Sequence, residues 1–153
     1  MTAAAPPTIH ASAALVDGTG VLVRGPSGSG KSSLVLALIM ASPERNRLVA
    51  DDRVVLTSIG GGIAAAPPET LAGRIEMRGY GIINLPYVAP QKIGLVVDLK
   101  PIEDIARLPS EVERTAWLGD VMLPRLTLPA GHPEGWIRVR AVLLGGLGMV
   151  NET

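Results

Sequence analysis

The stretch "GPSGSGKS", residues 25–32, has the residue types and the spacing of a loop that binds phosphate groups. It fits the pattern G-x-x-x-x-G-K-[ST], in which glycines allow backbone N–H groups to approach phosphate oxygens closely. Lys31 is then expected to reach the terminal phosphates of a nucleotide, and the Ser32 hydroxyl is expected to bind Mg²⁺. The predicted nucleotide-binding residues are Gly25, Pro26, Ser27, Gly28, Ser29, Gly30, Lys31, Ser32 and Ser33.

A second feature with chemical potential is the pair Asp51 and Asp52, which interrupts the apolar stretch "LVADDRVV". A phosphate-binding loop requires an acidic residue at a nearby strand end to hold the metal, and Asp98 after "IGLVV" is a rival candidate. Asp98 is equally suited to cap the segment that follows it. We favour the pair, because capping does not require two consecutive carboxylates. The alternative is a solvated strand end at which one aspartate pairs with Arg53.

The two carboxylates of this pair are suited to different tasks. Successive residues of a strand point to opposite faces of the sheet. A bend at the strand end would aim one carboxylate at the metal and the other at an incoming hydroxyl group. A carboxylate that accepts the hydroxyl proton acts as the base in phosphoryl transfer. Strand geometry alone does not assign these tasks between Asp51 and Asp52.

Hydrophobic patterning and turn residues predict the elements that must position these groups. Residues 31–41 are almost wholly apolar and predict a buried helix directly after the phosphate-binding loop. Residues 136–144 fit either a helix or a strand, and residues 74–87 mix a short strand with glycines. Strands are predicted over residues 9–16, 21–23, 48–50, 53–58, 63–66, 93–98 and 121–128. This order, with a hairpin at residues 53–66, predicts an α/β fold with a mixed β-sheet.

Length and composition indicate one folded domain over residues 1–153, with residues 1–8 as a flexible arm. Of the 153 residues, 47 % are hydrophobic and 18 % are charged, as in globular proteins. The formal net charge is zero, which provides no basic field and argues against a nucleic acid as partner. The absence of cysteine excludes disulfides and thiolate metal sites, and it fits a reducing cytoplasm.

The sequence also argues against a membrane location. The longest apolar run, residues 34–41, is far shorter than the ~20 residues of a membrane-spanning helix. The N-terminus "MTAAAPPTIHAS" has no Lys or Arg ahead of an apolar stretch, so it does not match a signal peptide. We therefore expect a cytoplasmic protein.

Three stretches, "IHASAALVDGTGVLVRGPSGSGKSSL", "RLVADDRV" and "IEMRGYGIINLP", occur in an order that resembles the catalytic domain of HPr kinase/phosphorylase. The resemblance runs over residues 9–98 and weakens beyond residue 100. It implies an HPr kinase-like P-loop fold, ATP and Mg²⁺ as cofactors, and the phosphocarrier protein HPr as partner. The implied activity is ATP-dependent phosphorylation of a serine of HPr, together with the reverse removal of that phosphate by inorganic phosphate.

The resemblance also implies roles for individual residues. Asp52 matches the acid/base that accepts the serine proton, and Asp51 matches the acid on the metal side. His10, which lies 21 residues before Lys31 (31 − 10 = 21), matches an active-site histidine. Glu76 matches a second Mg²⁺ ligand, and Arg107 resembles a catalytic arginine. The implied catalytic residues are therefore His10, Lys31, Asp52 and Arg107, and the implied metal ligands are Ser32, Asp51 and Glu76.

Each of the weaker matches has an ordinary structural alternative. His10 fits equally a histidine that is satisfied within a strand. Glu76 is also placed to pair with Arg74 or Arg78 on the surface, and Arg107 is also explained as an exposed charge. His132, in the loop "PAGHPEG", is expected to be a solvent-exposed turn residue.

The sequence departs from the family pattern in three places. We expect a minimal form that lacks the additional N-terminal domain of many relatives. The loop that usually contains "P-x-x-P-G-R-N" appears as "LPAGHPEG", without its Arg and Asn, which puts the phosphorolytic activity in question. The sequence ends soon after "AVLLGGLG", and we therefore expect the C-terminal helices of the family to be short or missing. A homo-oligomer is left open.

These departures motivate an alternative from another functional class. In that alternative, the chain is a nucleotide-binding regulatory or sensor domain that transfers no phosphate. A small-molecule kinase is less well supported, because the chain has no Arg-rich lid. ATP is the expected nucleotide, because no guanine-reading N/T-K-x-D motif is present.

Overall fold

The computed structural model describes residues 7–147, which form a large mixed β-sheet, a small hairpin sheet and two helices. The helices are α1 (Lys31–Ala41) and α2 (Gly135–Gly145). The strands are β1 (Thr8–Ile9), β2 (Ala11–Val16), β3 (Thr19–Arg24), β4 (Arg47–Ala50), β5 (Val54–Ile59), β6 (Gly62–Ala66), β7 (Arg74–Met77), β8 (Gly81–Asn84), β9 (Gln91–Lys100), β10 (Thr115–Leu118) and β11 (Val121–Pro129). Single 3-10 turns cover Glu69–Leu71 and Ile102–Asp104.

The centre of the large sheet is parallel. The strand β9 pairs in parallel with β3 on one side and with β11 on the other. Antiparallel pairs extend the sheet from β3 through β2 to β4, and from β9 through β6 and β5 to β1. Because β3, β9 and β11 run in the same direction, the loops that follow them leave from the same edge of the sheet. Ligands bind at such carboxyl edges in open α/β sheets.

The two helices cover one face of the sheet. Alternate residues of β3 divide between the faces: Val21 and Val23 pack with the helices, and Leu22 packs on the opposite side. On the helical face, buried residues of α1 meet Val139 of α2 and Ile75 of the β7–β8 hairpin. The strands β5, β6 and β10 supply apolar residues to the second face. The sheet is therefore buried on both sides, as a central parallel region requires.

Most predicted elements are confirmed, including the mixed α/β fold. The helix α1 has the predicted bounds, and its residues Leu34, Val35, Leu38 and Ile39 are buried. The ambiguous residues 136–144 lie in the helix α2. The strand β10 was not predicted, because only Ala116 and Leu118 of its four residues are buried and their neighbours are polar or exposed.

Two further expectations concern the N-terminal arm and the absence of a membrane-spanning helix. Thr8, the last residue of the expected arm, pairs with Val55 in the sheet, while residues 1–6 of that arm lie outside the described residues. Within the described part, neither helix is long and apolar enough to cross a membrane.

Candidate active site

The predicted phosphate-binding loop lies between the end of β3 and the first turn of α1. Gly28 and Gly30 have φ values of 80° and 97°, a left-handed conformation that side chains other than glycine rarely adopt. Across residues 7–147, the backbone N–H groups of Gly28, Gly30 and the first three residues of α1 donate to no other protein group. No side chain caps the helix, and its first turn carries no acidic residue. The loop therefore presents free donors and the positive helix end to an anion.

Lys31 is buried at the base of this loop. Its Nζ atom donates to the carbonyl oxygens of Gly25 at 2.7 Å and of Pro26 at 3.0 Å. Burial lowers the pKa of Lys31 below the usual value for lysine, and the charges of Asp52 and Asp51 partly oppose that shift. The ammonium group is thus held inside the loop by two carbonyl oxygens, near enough to Asp51 and Asp52 to be influenced by their charges.

Asp51, directly after β4, joins the loop to the sheet through hydroxyl groups. Its Oδ1 atom accepts hydrogen bonds from Ser32 Oγ at 2.6 Å and from Ser12 Oγ at 2.8 Å. The residue is only 7 % exposed, and among the described residues no Lys, Arg or His nitrogen lies within ion-pair distance of its carboxylate. The negative charge of Asp51 is therefore buried and hydrogen-bonded to hydroxyl groups, with the Lys31 ammonium near enough to be influenced by it but with no direct ion pair among the described residues.

Asp52 turns away from Asp51 at the end of the strand. Its φ of 72° lies in the left-handed region, which aspartate adopts more readily than most residues. Its backbone N–H donates to Ser12 Oγ at 3.1 Å, and its carboxylate oxygen Oδ1 lies 2.7 Å from His10 Nε2. The Asp52 side chain is 62 % exposed. The two carboxylates thus diverge, one toward Ser32 and the other toward solvent beside His10.

Ser12 is a site residue that sequence reasoning missed. Its fully buried hydroxyl donates to Asp51 and accepts from the N–H of Asp52, so one side chain holds both aspartates. The available signal was a polar residue at an inward-facing position of the apolar strand β2, two residues after His10. That signal is weak without the structure, because an isolated serine is common in strands.

The rival acid Asp98 has a different environment. Arg24 donates to both of its carboxylate oxygens, at 2.8 and 2.9 Å, and Arg125 Nε lies 3.5 Å from Oδ2. Asp98 does not cap the following 3-10 turn, whose N-cap is Pro101. Its charge is already neutralised by two guanidinium groups. The alternative pairing of an aspartate with Arg53 is not seen, because no side-chain bond of Arg53 occurs in the described region.

Glu76 and Arg107 are not brought into this cluster by any hydrogen bond or ion pair of the described residues. Glu76 lies on the exposed face of β7, opposite the buried Ile75, and forms no ion pair there with Arg74 or Arg78. Arg107 lines a cavity of about 840 Å³ between residues 100–115, β11 and α2. His132 Nδ1 accepts the N–H of Glu134 at 3.0 Å, in the turn that precedes α2.

The oxygen donors at this site fit a magnesium ion that is carried by a nucleotide. Within residues 7–147, no group of three or more His, Asp or Glu side chains is arranged to hold a metal. Mg²⁺ needs fewer protein ligands, because it commonly takes one or two carboxylates and completes its shell with substrate phosphates and water. Ser32 Oγ and the Asp51 carboxylate, next to the free N–H groups of the loop, provide such a partial set.

Comparisons with known proteins identify the family of this chain. A family model described as HPr Serine kinase C-terminal domain matches residues 2–133. The HPr kinase/phosphorylase of Geobacillus thermodenitrificans (strain NG80-2) is 40 % identical over 141 residues, which cover 80 % of this chain and 43 % of the relative. That of Brevibacillus brevis (strain 47 / JCM 6285 / NBRC 100599) is 34 % identical over 134 residues, covering 80 % of this chain and 42 % of the relative.

A solved structure supports the same assignment. The Hpr(Ser) kinase/phosphatase from Coxiella burnetii has a TM-score of 0.74 and 27 % sequence identity to this chain, and the match covers 92 % of this chain and 99 % of that one. The chain spans about two fifths of the length of the curated relatives it matches. Because the family model covers most of its residues, the chain belongs to the family of HPr serine kinase C-terminal domains.

Proposed function

We propose that this protein is an ATP-dependent protein-serine kinase that phosphorylates HPr. One observation carries the proposal: the aspartate pair meets the phosphate-binding loop, with Asp51 bonded to Ser32 and Asp52 exposed beside His10. A nucleotide-binding loop alone requires no second, solvent-accessible carboxylate. The names of the relatives, HPr kinase/phosphorylase, support HPr as the acceptor. A cytoplasmic location and assembly into a homo-oligomer are parts of the same proposal.

The first contribution of the protein is to hold the nucleotide phosphates. The free N–H groups of Gly28, Gly30 and residues 31–33 would bind the phosphate oxygens, and together with the Lys31 ammonium they would offset the negative charge of the phosphates. Ser32 and Asp51, with Glu76 as a further candidate, would hold Mg²⁺, which supplies charge neutralisation between the terminal phosphates. Most of the rate enhancement in such a reaction comes from positioning and electrostatics.

The second contribution is to prepare the acceptor hydroxyl. Asp52 accepts the proton of the serine hydroxyl while the serine oxygen forms a bond to the γ-phosphorus. The bond from that phosphorus to the β–γ bridging oxygen breaks, and ADP leaves with the electron pair. His10, at 2.7 Å from Asp52, orients the carboxylate toward solvent, where a protein substrate arrives. Arg107 lies in the larger cavity, and its proposed role is to offset phosphoryl charge.

The reverse reaction is a weaker part of the proposal. It would use inorganic phosphate to remove the phosphoryl group from HPr, with Asp52 returning the proton. The turn after β11 contains neither the Arg nor the Asn that the family pattern has at that loop. We therefore expect phosphorolysis to be slower than in relatives that keep both residues.

The test is transfer of the γ-phosphoryl group of ATP to purified HPr. Asp52→Asn is expected to lower kcat by about 10²–10⁴-fold, because general base catalysis contributes about that factor. The matched control is Asp120→Asn, which changes an exposed aspartate in the turn between β10 and β11. Full activity of Asp52→Asn would refute the assigned base. ATP binding without transfer to HPr would favour the regulatory alternative instead.

A further inference from the structure

A small cavity lies next to the phosphate-binding loop, on the side away from the aspartate pair. It has a volume of about 190 Å³ and is enclosed by α1, the carboxyl end of β11 and the turn that leads into α2. Gly30 and Ser33, which belong to the predicted nucleotide-binding residues, form part of its wall. The cavity therefore begins where the phosphate-binding loop ends.

The turn after β11 is fixed to the loop by backbone contacts. The N–H of Gly131 donates to the carbonyl oxygen of Ser29 at 2.9 Å, and a Cβ atom at Gly30 would lie 3.5 Å from the backbone of Gly131. Both segments leave the same edge of the sheet, because β3 and β11 are each parallel to β9. A ligand whose phosphates occupy the loop can therefore extend into the cavity without crossing the sheet.

The walls of the cavity suit a flat aromatic group better than a phosphate or a sugar. Trp136, Leu34, Ala37 and Leu128 provide apolar surface, and none of the described lining residues is Asp, Glu, Lys or Arg. His132 also lines the cavity, and its Nδ1 accepts the Glu134 N–H, so the ring proton lies on Nε2. That N–H is a donor for a ring nitrogen.

The size of the cavity restricts the group further. A volume of about 190 Å³ is somewhat larger than the roughly 150 Å³ of an engineered apolar cavity that binds benzene. That volume accommodates a planar bicyclic base and is too small for a whole nucleoside triphosphate. The phosphates must then remain outside, over the free N–H groups of the loop.

From the shared wall, the apolar lining and the volume, we propose that this cavity binds the purine base of the nucleotide. The base stacks on or beside Trp136 and receives a hydrogen bond from His132, while Ala37 leaves the space that the base fills. This assignment deepens the proposed function and rests on its nucleotide-binding step alone. Binding of ATP through this cavity without transfer to HPr would refute the kinase and leave the base site intact.

Tryptophan fluorescence tests the assignment directly. The protein has two tryptophans, and Trp117 is exposed on β10 and does not line the cavity. In the variant W117F, Trp136 is therefore the sole indole. Titration with ATP is expected to change its emission, and titration with inorganic tripolyphosphate is expected to leave it unchanged. Equal changes with both probes, or no change while calorimetry reports bound ATP, would overturn the proposal.

A second test fills the cavity. Ala37→Phe is expected to weaken ATP binding by about tenfold to a hundredfold, the range of base–aromatic stacking, and to leave the affinity for tripolyphosphate unchanged. Met40→Phe, at a position of the same helix that is 50 % exposed, is the matched control and should not change either affinity.

Should Ala37→Phe fail to fold, Trp136→Leu is expected to give the same selective loss. Parallel losses for both probes, or no loss for ATP, would contradict the base site. Failure of the wild type to bind either probe would overturn both proposals.

Discussion

The ends of β4 and β9 each carry a buried aspartate, but the two carboxylates have different partners. Asp51 is 7 % exposed and Asp98 is 8 % exposed. Asp98 is bonded to the guanidinium groups of Arg24 and Arg125, whereas Asp51 accepts only the neutral hydroxyls of Ser12 and Ser32. A carboxylate that is neutralised by two arginines has little remaining attraction for a cation. A buried carboxylate without such a partner retains that attraction.

This difference shows how one residue type serves two purposes in the same sheet. Asp98 ties β9 to β3 and β11 and so fixes the parallel centre from which the phosphate-binding loop leaves. Asp51 lies next to the phosphate-binding loop, and its carboxylate accepts a hydrogen bond from the Ser32 hydroxyl. Asp51 directly follows the apolar strand β4 and Asp98 ends the apolar run of β9, so their partners rather than their local sequence separate the structural role from the chemical one.

Among the changes that test this comparison of Asp51 with Asp98, the largest expected effect comes from removing the charge of Asp51. Asp51→Asn keeps an oxygen acceptor for Ser12 and Ser32 and removes only the negative charge. We expect kcat for transfer to HPr to fall by about 10²–10³-fold, the size of the loss when one group that stabilises the transition state electrostatically is removed, with little change in Tm. The Mg²⁺ concentration for half-maximal activity should also rise. Unchanged Mg²⁺ dependence with a full rate would show that Asp51 does not serve the metal.

Asp98→Asn should have the opposite balance of effects. It leaves two guanidinium groups without their counter-charge, and we expect the free energy of unfolding to fall by about 3 kcal/mol, at the lower end for a buried pair because Arg24 is partly exposed. The remaining folded protein should keep most of its turnover. Urea unfolding and phosphotransfer measured on the same sample separate the two effects. If Asp98→Asn lost its turnover while its stability stayed unchanged, Asp98 would have the chemical role that we assign to Asp51.

Ser12→Ala is a finer test of how Asp51 is held. It removes one donor to Asp51 and the acceptor of the Asp52 N–H, and the expected cost is about 1–3 kcal/mol of stability, as for an unsatisfied buried group. Because both aspartates lose a partner, the rate should also fall. Ser42→Ala, at a buried serine that bonds to Glu44, is the matched control and should leave the rate unchanged. Equal rates for both variants would exclude a positioning role for Ser12.

The smallest expected effect concerns the pH dependence of stability through Lys31. Burial lowers its pKa in the folded state, so the unfolded chain holds the proton more tightly. Below the folded pKa, Lys31 is charged in both states and the burial penalty is present in full. As the pH rises from the folded toward the unfolded pKa, the unfolded state binds more protons, and Lys31 therefore adds stability. Urea unfolding at alkaline pH should show this rise in the wild type, and it should be absent in Lys31→Met.

Much of the fold could be predicted from residue patterns. The almost wholly apolar residues 31–41 and the β-branched-rich residues 21–23 predicted α1 and β3 with nearly correct bounds, because elements that are buried on all sides leave continuous apolar runs in the sequence. The strand β10 was missed because Trp117 is exposed and the strand is only four residues long. The pairing of β7 with β8 was also missed, since the glycines at 79 and 81 interrupt the pattern.

The residues of the candidate site also differ in how far the sequence could locate them. The phosphate-binding loop is a contiguous motif whose glycines and lysine have a fixed spacing, so the sequence alone located it. The sequence also located the aspartate pair, because two adjacent carboxylates in an apolar stretch require an explanation. The family resemblance added His10, which lies beside Asp52 in the structure. The roles of His10, Glu76 and Arg107 remain predictions.

Only the tertiary structure decided which distant groups meet. The bonds of Asp51 to Ser12 and Ser32 span 39 and 19 residues, and the bond of Asp98 to Arg24 spans 74 residues. Sheet order and register bring these side chains together, and neither is encoded in any local pattern. The sequence thus determined the chemical groups of this protein and the local elements that carry them. The order of the strands β9, β3, β2 and β4 in the sheet determined which carboxylate is neutralised and which is left for chemistry.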